Sequence, residues 1–145
     1  MDQPLHPTIR TGIIVSLIFA LSSCAKTDGM YIEDARIRDL LPVRDTTAAY
    51  FTLRNHTDRH HVLVGARSGH ARSIEMHQSV NQGDSYSMRR VKRVTIEAGE
   101  TLNFEPGGLH LMVFGVENVA DEFPITLHFE DDTDMEIIFS KLKFP

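Results

Sequence analysis

Hydrophobic and polar residues alternate with a period of two along most of this chain. Residues 48–55 read A-A-Y-F-T-L-R-N, with Phe51 and Leu53 on one face and Tyr50 and Thr52 on the other. Successive side chains of a strand point to opposite faces, so this pattern predicts a half-buried strand. Residues 31–40 alternate more loosely through Ile32, Ala35 and Ile37 and stop before Pro42. Residues 61–66, 72–78, 85–96, 101–105, 109–116, 123–130 and 135–144 complete the series. Between them stand turn formers: N-Q-G-D from Asn81, E-A-G-E from Glu97, P-G-G from Pro106 and D-D-T-D from Asp131. No window carries a helical stripe of ordinary length. About eight short strands joined by such turns predict an all-β sandwich or barrel of Greek-key type.

Composition narrows the organisation without changing that picture. A chain of 145 residues, 41% hydrophobic and 24% charged, has room for one ordinary domain. The net charge is −5 and Lys and Arg are scattered, so no nucleic-acid partner is expected.

The N-terminus departs from the alternating pattern. Arg10 precedes the uncharged stretch T-G-I-I-V-S-L-I-F-A-L, an apolar segment short for a membrane span and typical of an export signal. It ends in Leu21-Ser22-Ser23-Cys24, and Cys24 is the single cysteine of the sequence. The segment resembles the lipobox of bacterial lipoproteins, which implies cleavage after residue 23 and lipidation of Cys24. The expected organisation is a signal peptide over residues 1–23, a lipidated tether over 24–30 and a β domain over 31–145. Such a protein would be held by lipid on the envelope, facing the periplasm; Ala25 after the cysteine points to the outer membrane. Without a further cysteine the domain has neither a disulfide nor a thiolate ligand, so its stability rests on its core.

Candidate chemistry concentrates between residues 77 and 112. His77, Met88, His110 and Met112 supply two imidazoles and two thioethers, a neutral and partly soft set that favours Cu(I) over hard cations. His110 and Met112 are two apart on a predicted strand and therefore share a face, just after a turn that Gly107 and Gly108 make easy. That predicts a site at the mouth of the sandwich, with Met88 from another strand and His77 from the end of a third. The bland reading of each residue is a core methionine or a hydrogen-bonded histidine, in a structural envelope lipoprotein. A blue-copper protein would need a cysteine ligand that the domain lacks. A metal hydrolase would need a general base, for which Glu75 and Glu105 stand nearby in sequence. His56, His60 and His61, with His70 further on, form a histidine-rich segment that could hold an accessory Cu(II) or Ni(II) ion, or be a solvated turn. The run Arg89-Arg90-Val91-Lys92-Arg93 reads as a solvated face, or as a contact for an acidic partner or lipid headgroups.

The spacing H-x10-M-x21-H-x-M, with the words E-M-H at Glu75, I-E-A-G at Ile96 and P-G-G-L-H-L-M at Pro106, resembles the PCu(A)C family of periplasmic copper chaperones over residues 32–142. The resemblance implies a cupredoxin-like β-sandwich, Cu(I) bound by His77, Met88, His110 and Met112, and no enzymatic activity. It also implies delivery of copper toward the binuclear centre of the copper subunit of cytochrome c oxidase, alongside Sco-type proteins; copper buffering or resistance without a dedicated acceptor is the alternative. Asn81 and Tyr86 stand where relatives often show further methionines, and Phe114 follows Met112 by two. The sequence runs to Pro145 without the His- and Met-rich tail of many relatives, so a single copper site is the expectation.

Overall fold

A computed structural model describes residues 29–83 and 85–142; the expected signal peptide, Cys24 and most of the expected tether lie outside the described residues. Ten strands follow one another: β1 (Met30–Arg38), β2 (Thr46–Asn55), β3 (His61–Arg67), β4 (Ser73–Gln82), β5 (Ser85–Val91), β6 (Val94–Ile96), β7 (Thr101–Phe104), β8 (Leu109–Phe114), β9 (Glu122–Phe129) and β10 (Asp134–Leu142). They form one sheet in the order β5-β4-β8-β7-β2-β1-β10-β9-β3-β6, and a further pairing of β3 with β4 closes it into a barrel. Among the described residues the fold is all-β, as the alternation predicts.

β2 shows why the alternation works. Thr47, Ala49, Phe51, Leu53 and Asn55 are buried while the residues between them are half-exposed. Phe51 stacks on Phe104 at 4.1 Å between ring centroids and meets Phe139 edge-on at 5.8 Å, which joins three strands through one aromatic cluster. Ile37, Leu53, Leu63, Leu111, Ile125 and Leu127 complete an interior with no solvent exposure.

Two expectations are corrected. Residues 85–96, read as one strand, are two: Lys92 and Arg93 break the run, and β5 and β6 end at opposite edges of the sheet, β5 on β4 and β6 on β3. β4 extends to Gln82 rather than Gln78, because Gln82 pairs with Ser85 around a tight connection that starts at Gly83 with φ +74°. A positive φ of this kind is what glycine supplies in short hairpins. His77 therefore sits in the middle of a strand with neighbours on both sides, not near its end.

Candidate metal centre

The register of three strands decides which side chains meet. β4 pairs antiparallel with β8, so that His77 faces His110 and Glu75 faces Met112. On its other side β4 pairs with β5, where Met88 faces Ser79 and Arg90 faces His77. Ile74 and Met76 of β4, and Leu109, Leu111 and Val113 of β8, are buried in the core. By alternation His77, His110, Met112 and Met88 all lie on the opposite, outward face of this wall. The four residues singled out from the sequence thus lie on one face of three adjacent strands, on the outer side of the barrel rather than in its interior.

The turn before β8 is built to present His110. Gly108 N donates to Glu105 O at 3.1 Å, and Gly107 takes φ +80°, the conformation that follows a proline in a type II turn. The Gly108 carbonyl then accepts two bonds, from Ser79 N at 3.0 Å and from His110 Nδ1 at 3.0 Å. Because a carbonyl only accepts, Nδ1 carries the ring proton and Nε2 keeps its lone pair. His110 is 4% exposed.

His77 is held the other way round. Its Nε2 lies 2.9 Å from Glu75 Oε2, and a carboxylate accepts, so here Nε2 carries the proton. Nδ1 is the one buried side-chain nitrogen or oxygen among the described residues without a hydrogen-bond partner. Buried polar atoms are paired in the great majority of cases, so this bare lone pair beside a second imidazole stands out as an atom available to a ligand. The two ring centroids are 6.2 Å apart, so the imidazoles are direct neighbours on this face.

Met88, His110 and Met112 line a single cleft of about 330 Å³ with Tyr50, Ser79 and Gly107. Met88 is 63% exposed on a strand at the edge of the sheet, whereas Met112 is half-buried. The thioethers thus differ in access: one is part of the wall and one is open to solvent.

Similar proteins bear on this geometry. A family profile described as “Putative lipoprotein LpqE-like” matches residues 30–140. Cu(I)-loaded DR1885 of Deinococcus radiodurans is 30% identical, with a TM-score of 0.62 over 77% of this chain and 76% of that one. The chain belongs to this LpqE-like, PCuAC-type family. The copper-bound PCuAC domain from PmoF2, 21% identical with a TM-score of 0.67 over 80% of this chain and 93% of that domain, shares the cupredoxin-like fold. “Putative lipoprotein Lxx21020” of Leifsonia xyli subsp. xyli is 26% identical over 139 residues, covering 85% of this chain and 82% of that protein.

Within this family member the other sequence candidates have different surroundings. Among the described residues no three of His, Cys, Asp and Glu form a metal-holding group. His56 packs on Tyr31 at 5.3 Å, while His61 is buried with Nε2 3.1 Å from Thr57 Oγ1 and Nδ1 3.7 Å from Asp131 Oδ2. His60 is exposed, so the segment does not gather its three histidines into one site. Two residues acquire a place that the sequence did not give them. Glu75, considered only as a possible general base, hydrogen-bonds His77 through Oε2 and forms an ion pair with Arg90 Nη1 through Oε1 at 3.0 Å. Arg90, read as part of a solvated run, is the outer partner of that chain of contacts. The signal was present in the alternation, since residues 75 and 77 of one strand must share a face.

Proposed function

We propose that this protein is a copper carrier of the bacterial envelope that binds one Cu(I) through His77 Nδ1, His110 Nε2 and the thioethers of Met88 and Met112, and hands it to an acceptor. The observation that carries the reading is the pair of facing imidazoles, each with one nitrogen fixed as donor, together with the buried and unpartnered Nδ1 of His77. Two neutral imidazoles and two thioethers suit Cu(I), and thioether bonds exchange readily, as a carrier requires. Cu(I)-bound DR1885, at 30% identity, supports the choice of metal. Both Glu75 oxygens are already engaged by His77 and Arg90, which favours a carrier over a hydrolase with Glu75 as base.

The acceptor we propose is the binuclear copper centre of cytochrome c oxidase, with Sco-type thiol proteins as companions in transfer. Lipid on Cys24 would hold the carrier at the membrane, facing the periplasm and on the outer membrane. Family membership among LpqE-like lipoproteins supports the anchored form.

The test is a Cu(I) titration of the full chain in mild detergent against a chromogenic chelator, with Met88→Ala and His110→Ala in parallel. The wild type competes for one equivalent and both variants compete less; equal competition by all three ends the proposal. Mixing the loaded protein with an apo oxidase copper domain should move the metal, and retention on the carrier would favour buffering instead.

A further inference from the structure

We infer that Glu75 and Arg90 form a positioning pair that makes His77 bind metal through Nδ1 and keeps the Glu75 carboxylate out of the coordination sphere, so that the site prefers Cu(I) to Zn(II) and Cu(II). The inference deepens the carrier reading and rests on it.

The geometry assigns one role to each carboxylate oxygen. Oε2 accepts from His77 Nε2 at 2.9 Å, and that bond makes Nδ1 the atom with the free lone pair. Nδ1 is buried and unpartnered, so the ring already holds the tautomer that binding needs. Oε1 forms an ion pair with Arg90 Nη1 at 3.0 Å. Glu75 also faces Met112 directly across the β4–β8 register, next to the proposed ligands. An unrestrained carboxylate there would be a ready oxygen ligand for Zn(II) or Cu(II), which take carboxylates as Cu(I) does not. With both oxygens engaged, the carboxylate remains in the outer layer and leaves the metal to imidazole and thioether. Arg90 also offsets its charge, so the ligand surroundings stay close to neutral.

The same contact links two strands. Arg90 lies two residues beyond Met88 on edge strand β5 and reaches across to Glu75 on β4, which ties the strand that carries the most exposed thioether to the ring of His77. The Arg90 side chain is 59% exposed and that of Glu75 25%. An ion pair this open adds little to stability, so substitutions here should leave the fold intact.

The experiment uses the full chain in mild detergent with nitrogen-15 in its histidines, at about pH 8, above the ordinary histidine range. Long-range proton–nitrogen correlations of the metal-free protein identify which ring nitrogen carries hydrogen. Wild-type His77 is expected with hydrogen on Nε2 and a bare Nδ1, and Glu75→Gln, which substitutes an uncharged amide, should mix the two tautomers. Cu(I) affinity of Glu75→Gln should fall about 10- to 100-fold, the range typical when an outer partner of a metal-binding histidine is lost. In Arg90→Gln the freed carboxylate should strengthen Zn(II) binding and narrow the preference for Cu(I), a change that a purely structural ion pair would not produce. Hydrogen on Nδ1 in a wild type that binds Cu(I) overturns the inference alone, as do variants that match the wild type for both metals. A wild type with the expected tautomer that takes up no Cu(I) overturns the carrier reading, and the metal preference inferred here falls with it.

Discussion

Two groups of polar side chains, buried or half-buried, occupy this barrel, and they are finished differently. At one end of β2, Asn55 is fully buried and all its amide capacity is used: Nδ2 reaches the carbonyls of Arg59, Ile96 and Glu97, and Oδ1 accepts from the backbone N and hydroxyl of Thr57. His61 beside it turns one nitrogen to Thr57 and the other toward Asp131. On the wall made by β4, β5 and β8, His77 and His110 each have one nitrogen held, and the other nitrogen of His77 is buried without a partner. A satisfied polar cluster fixes a loop, whereas one with an unpaired nitrogen leaves an acceptor open to a ligand. Burial of a histidine does not separate the two cases; the state of its second nitrogen does.

That contrast can be broken most directly at Asn55. Asn55→Leu abandons three carbonyls and the partners of Thr57, and should cost on the order of 4 kcal/mol in urea unfolding while leaving the Cu(I) affinity of the folded protein unchanged. A parallel loss of affinity would mean that the two regions are not independent. Next comes His110→Ala, expected to weaken Cu(I) binding in chelator competition by more than about 100-fold, beyond the usual effect of an outer-layer change, at under about 2 kcal/mol of stability. If it instead unfolds the protein without a specific effect on copper, His110 belongs with His61.

Met88→Leu should weaken copper binding by about tenfold, or about 1.4 kcal/mol, with a stability change within about 0.5 kcal/mol, because this side chain is 63% exposed. An unchanged affinity would reduce the site to its two histidines and Met112. The smallest effect concerns acid. A hydrogen bond from His128 first, then the charges of His128 and Arg67, hold the Asp134 carboxyl below the ordinary aspartate range. A carboxylate whose folded pKa lies below its unfolded value stabilises the fold above about pH 4, and that contribution is lost as pH falls through the folded pKa. Asp134→Asn should therefore flatten the acid side of the stability profile, read from denaturant titrations at a series of pH values, and change nothing in copper binding.

Much of this was legible in the chain because it is local. Alternation in β2 and β8 follows from strand geometry, so the inward Leu111 and Val113 and the shared face of His110 and Met112 could be read directly. The Pro106-Gly107 turn announced itself by residue type. Less legible was anything that depends on which strand lies beside which. Residues 85–96 carry no local mark that they divide between two edges of the sheet, and the end of β4 moved because Gln82 finds Ser85 across the hairpin.

The sequence by itself determined the all-β class and singled out four candidate donor residues of soft, neutral character, since these depend on side-chain chemistry and period-two geometry alone. Only the tertiary structure decided that His77 faces His110, that Glu75 and Arg90 stand behind His77, and that His61 is tied off by Thr57 and Asp131 instead of binding metal with its neighbours. The reason is physical: register between strands is set by the whole buried face at once, and a shift of one residue would turn every one of these side chains to the other side of the wall.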